Sequence, residues 1–110
     1  VLLEVLRPGV NLAVWHRALP PALGPAMRLL AEAAPFVATV EDEPEPAVDA
    51  LAVKLPAAAP LDLLLDIQRL AALFAAVADT GGAVRIRLEA ITSPACQRWH
   101  ADSVGLRLLC

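Results

Sequence analysis

The sequence predicts an α+β fold, with strands and helices in its N-terminal part followed by the first strands of an antiparallel sheet of the jelly-roll, or double-stranded β-helix, kind. Three observations carry that expectation. Residues 61–78 form one long helical run opened by Pro60 and closed by Thr80-Gly81-Gly82. Val84, Ile86, Leu88 and Ala90 then alternate with Arg85, Arg87 and Glu89, the period of a strand with one apolar face. Val104, Leu106, Leu108 and Cys110 alternate again after the turn residues Thr92-Ser93-Pro94. A chain of 110 residues has room for one small core and not for two, so 1–110 is a single domain or a fragment of one.

Taken in order, residues 10–16 lie between Pro8-Gly9 and Pro20-Pro21, and their apolar character suits a short, partly buried strand. Pro21 fits the first turn of a helix running to about residue 34, with Leu23, Met27, Leu30 and Ala34 at helical spacing and Pro25 tolerated only in that first turn. Pro35 ends it. A second short strand is expected over 36–41. The acidic, proline-punctuated stretch 41–46 reads as an exposed loop, because like charges and fixed proline dihedrals disfavour packing. A short helix follows over 47–55. In the long helix 61–78, Asp62, Asp66 and Arg69 mark a narrow wet stripe. Beyond Arg69 the helix has no polar side, which predicts cover on more than one face. The strand over 83–91 is expected to have the final strand, 104–110, beside or near it.

Composition excludes several classes. Hydrophobic residues make up 58% of the chain and charged residues 19%, which is too apolar for a disordered segment. The longest stretch without a charge, 18–27, is far shorter than the roughly 20 residues of a membrane-spanning helix and contains three prolines and a glycine. No membrane span is expected. A net charge of -3, with eight arginines scattered along the chain and Lys54 the lone lysine, argues against a nucleic-acid partner. No secretion signal is visible and the two cysteines read as thiols, so a cytoplasmic protein is expected. The start at Val1 and the apolar end at Cys110 predict a piece of a longer protein.

Metal-capable side chains cluster in Cys96-Gln97-Arg98-Trp99-His100-Ala101-Asp102. In an extended segment His100 and Asp102 emerge from one face and can reach one ion, while Trp99 turns to the other face and the core. A neutral imidazole and an anionic carboxylate hold iron(II) without saturating it. Such a pair supplies two legs of the facial triad of non-haem iron oxygenases, with a distant histidine as the third. Cys96, His100 and Asp102 equally suit a zinc(II) site needing one more ligand or a water. A third arrangement makes Cys96 a nucleophile, His100 its base and Asp102 the orienting group. Against all three stands the plain reading of Cys96 as a small buried hydrophobe and of the pair as part of the fold. Arg98 and Arg107 carry forks suited to a carboxylate of a small-molecule substrate, although solvated or ion-paired arginines are commoner. Trp15 and His16 have no neighbours that complete a site.

The segments Val84-Arg85-Ile86-Arg87-Leu88-Glu89 and Cys96 through Cys110, with the run Leu106-Arg107-Leu108-Leu109-Cys110, resemble the signature of a bacterial family of unknown function. In that family an Arg-Leu-Glu strand, a cysteine, an aromatic-His-x-Asp and an Arg-Leu-Leu-Cys strand lead into Thr-Tyr-x-Gly-Pro-Gly-Thr. Asn11-Leu12-Ala13-Val14-Trp15-His16-Arg17 resembles the family's opening. The resemblance spans most of the chain and is specific at its two ends; the middle matches in being helical and alanine-rich. It assigns the motif positions to Cys96, His100, Asp102 and Arg107, and it implies a link to zinc supply through neighbouring zinc-homeostasis GTPases. The family's continuation, and any later histidine, are absent from this sequence. The leading expectation is a metal-dependent protein, iron oxygenase-like or cupin-like, with His100 and Asp102 as ligands. The alternatives are a non-catalytic zinc-binding accessory protein that uses Cys96 and His100, and an interaction module without metal.

Overall fold

A computed structural model describes residues 2–92 and 106–109 of the chain. Its element order is a 3-10 turn at Leu2–Leu6, helix α1 (Leu23–Ala31), strand β1 (Phe36–Asp42), helices α2 (Pro44–Lys54) and α3 (Leu61–Ala78), and strand β2 (Val84–Ala90). The fold is α+β, with β1 and β2 paired antiparallel.

The register sets Phe36 opposite Ala90, Ala38 opposite Leu88, Val40 opposite Ile86 and Asp42 opposite Val84. One face of the pair is therefore apolar apart from the end carrying Asp42, and it meets the helices. Ala38, Val40 and the α1 residues Leu23, Ala26 and Leu30 join Ala47, Leu51 and Leu55 of the α2 region and Leu63 of α3 in one cluster. Ala47 and Leu51 are fully buried, and α2 packs against β1, β2 and α3 together. Burying one leucine of this kind contributes about 1.5–3 kcal/mol. The other sheet face is exposed and, apart from Val37, polar. There Glu41 lies directly across from Arg85, and the two form an ion pair at 3.0 Å.

The alternation that predicts β2 and the proline and glycine signals that bound α3 are matched by the observed elements. At 41–46 the expectation needs correction. Glu41 and Asp42 complete β1, and Pro44 begins α2, so the acidic stretch is exposed but not a loop. Pro44 and Pro46 occupy the first turn, where backbone N–H groups have no partner within the helix, so the missing donors cost nothing there. Ala47 N–H donates the first helical bond, to the Glu43 carbonyl at 2.9 Å, and Glu45 complements the helix dipole.

Residues 10–16 form no strand. Their alternation is poor, and among the described residues β1 and β2 pair only with each other, so no ladder there satisfies an extended backbone. Helix α1 is shorter than expected. It buries Ala26 where Met27 was expected, and Met27 is 50% exposed. Residues 106–109 are irregular, and β2 takes β1 as its partner. The rest of the expected final strand, and the further strands of a jelly roll, lie outside the described residues.

Helix α3 ends as its sequence dictates. Asp79 takes the left-handed conformation at φ 50°, and Gly81 and Gly82 follow with positive φ that a side chain would resist. In its second half Ala72 and Ala76 are exposed, while the residues between them are half-buried, so cover does reach more than one face. Among the described residues no helix is long and apolar enough to cross a membrane.

Candidate functional site

Of the residues singled out by sequence, Cys96, His100 and Asp102, with Arg98 and Trp99, lie outside the described residues. Arg107 is described. It is exposed, on the irregular segment 106–109. Among the described residues no group of three or more His, Cys, Asp or Glu side chains could hold a metal ion. His16 is exposed.

The structure instead brings together a set that the sequence reading treated as separate. Asp66, expected on the wet stripe of α3, is 7% exposed. Residues 2–22 precede α1 as a strap that comes beside α3 at Leu2, Leu3, Trp15 and Arg17, and Arg17 donates two hydrogen bonds to Asp66, Nη1 to Oδ1 and Nη2 to Oδ2, both at 2.7 Å. This is the fork-on-carboxylate geometry that only an arginine provides, and the charge on each partner makes the bonds short and strong. The guanidinium carbon of Arg17 also lies 5.7 Å from the centre of the Trp15 ring, within reach of a cation–π attraction.

The Asp66 carboxyl is held below its ordinary pKa, first by the Arg17 hydrogen bonds and further by the charges of Arg17 and Arg69, against a burial effect that pushes upward. The ionised form therefore dominates at neutral pH. A signal for this pair was present in the sequence. Asp66 sits three residues after Leu63, next to Ile67 and four before Leu70, so it falls within the inward stripe of α3, where a carboxylate requires a cation.

Two adjoining concavities lie beside α3, and one of them borders this pair. One, of about 310 Å³, is lined by Trp15, Arg17, Pro20, Asp66, Arg69 and Leu70 among others. The second, of about 490 Å³, is lined by Leu2, Leu3, Trp15, Leu73, Ala76 and Val77. They share Trp15 and Leu73.

Comparison with known proteins gives one positive finding. A family model described as "Protein of unknown function (DUF1826)" matches residues 1–110. No curated protein and no solved structure matches the chain.

Proposed function

The chain belongs to that family, and on that premise we propose that it is a metal-dependent protein in which His100 and Asp102 supply two ligands to one ion. The observation that carries this reading is the His100-Ala101-Asp102 spacing, which in an extended segment would set an imidazole and a carboxylate on one side. That donor set fits iron(II), which tolerates mixed nitrogen and oxygen ligands and retains open positions. Bound there, the ion would supply activation of oxygen or water, as in iron oxygenase-like and cupin-like proteins. Arg107, five residues after Asp102 and exposed, is proposed to hold an anionic part of a small-molecule substrate through its planar fork.

Cys96 favours a second reading, since a thiolate beside an imidazole is a zinc donor set. In that reading the protein binds zinc(II) without catalysis and serves a zinc-homeostasis GTPase as its partner.

Metal analysis of the full chain purified without oxygen separates the two. Iron(II) uptake that His100→Ala abolishes while the variant keeps its helical circular dichroism supports the first. Tight zinc binding lost in Cys96→Ser supports the second. Metal content unchanged in both variants overturns both readings.

A further inference from the structure

The two concavities beside α3 meet at Trp15 and Leu73, and together they make a shallow groove whose two ends differ in chemistry. Its floor is a single face of the helix: Asp66, Arg69 and Leu70, then Leu73, then Ala76 and Val77, spaced by three or four residues and so stacked along one side. Toward the N-terminal half of α3 the floor is charged. Toward the C-terminal half it is wholly apolar, and Leu2, Leu3 and Trp15 of the strap wall it.

At the polar end Asp66 is engaged bidentately by Arg17, and Arg69 adds a further positive charge beside them. Arg69 is exposed and makes no hydrogen bond or ion pair among the described residues. Its guanidinium is therefore available at the rim to bind an anion, and its fork matches a carboxylate. At the other end Leu3 is 64% exposed and Trp15 42% exposed, which leaves apolar surface uncovered directly beyond the cation.

We propose that this groove binds a free, small amphiphilic carboxylate, with the carboxylate on Arg69 and the apolar body lying along Leu73 and Val77 against Trp15. Occupancy depends on charge complementarity at one end and on apolar burial at the other, so neither a neutral nor a cationic ligand of the same length satisfies it. The lining residues named here belong to the strap and to α3, so the proposal draws on none of Cys96, His100 and Asp102.

The test uses the full chain with Trp99→Phe, so that the fluorescence reports Trp15, titrated with decanoate below its micelle concentration. Saturable change of the Trp15 emission is expected. Arg69→Gln should weaken decanoate about tenfold, the loss of one charge-assisted contact, while Arg69→Lys keeps part of the affinity. Decyltrimethylammonium should give no saturable response. Arg69 is exposed, so both variants are expected to keep the parent's urea midpoint, and that measurement confirms it. Equal decanoate affinity in Arg69→Gln, or equal binding of the cationic analogue, overturns the proposal. Retention on phosphatidylglycerol vesicles with no response to monomeric decanoate overturns it in favour of a lipid surface.

Discussion

The strap of residues 2–22 and the α/β core that follows it are held by different forces. The core buries Leu23, Ala47 and Leu51 almost completely, whereas no residue of the strap is buried. Leu3, Leu6, Leu12, Val14 and Leu19 of the strap remain more than half exposed, so apolar burial contributes little to its position. What ties it to α3 is polar and directional: the Arg17 fork on Asp66, with Trp15 stacked on the same guanidinium. A core held by apolar burial carries little pH dependence. A segment held by a charged fork is sensitive to pH. The contrast explains why the strap can lie over an open groove, since its attachment does not require a packed interface beneath it.

The largest effect should come from the core. Leu51→Ala removes a fully buried side chain at the junction of the sheet and helices and should cost about 2–5 kcal/mol, read as a lower urea midpoint with an unchanged slope. Such a loss falls on the whole domain, because α2 touches both strands and α3.

Breaking the fork should cost less and act locally. Asp66→Asn keeps the shape but removes the charge and should lower stability by about 1.5–3 kcal/mol. Its distinctive readouts are faster amide exchange in residues 2–22 and, in a Trp99→Phe background, a red-shifted Trp15 emission, with the core amides little changed. Acid should do the same in the Trp99→Phe chain that keeps Asp66. The folded pKa of Asp66 lies below its unfolded value of about 3.9, so the fork's contribution is fully present above that value and is lost as pH falls through the folded pKa. Loss of the Trp15 signal well above pH 4 would break the assignment to Asp66. An acid transition equally steep in Asp66→Asn would break it too.

The same contrast decides what was legible in the sequence. Elements fixed by local signals were readable: the prolines and glycines around α3, the alternation of β2, and Pro35 before β1. The acidic stretch 41–46 was misread because charge and proline content suggest a loop, while the first turn of a helix asks for those same residues. The strap was misread because its conformation is set by a partner 49 residues away in sequence, and no local period reports that. The fork itself was half legible. Asp66 stands in the apolar stripe of α3 and so calls for a cation, but nothing local says that the cation is Arg17. The metal ligands proposed at Cys96, His100 and Asp102 rest on their spacing, and they lie outside the described residues.

The smallest expected effect sharpens the comparison most, because it uses the same chemistry in a different setting. Arg85 and Glu41 pair across the strands, with Arg85 Nε and Nη2 both donating to one Glu41 oxygen at 3.2 and 3.0 Å. The residue types match those of a fork, but the side chains are 71% and 61% exposed, against 23% and 10% for Arg17 and Asp66. Water solvates the exposed pair whether or not it forms, and salt screens it. Glu41→Gln should therefore change stability by less than about 0.5 kcal/mol and leave the strap's amide exchange untouched. If it destabilised the chain as much as Asp66→Asn, the depth of the carboxylate would not be what distinguishes the two pairs. The strap's hold on α3 would then have to come from elsewhere than the burial of Asp66.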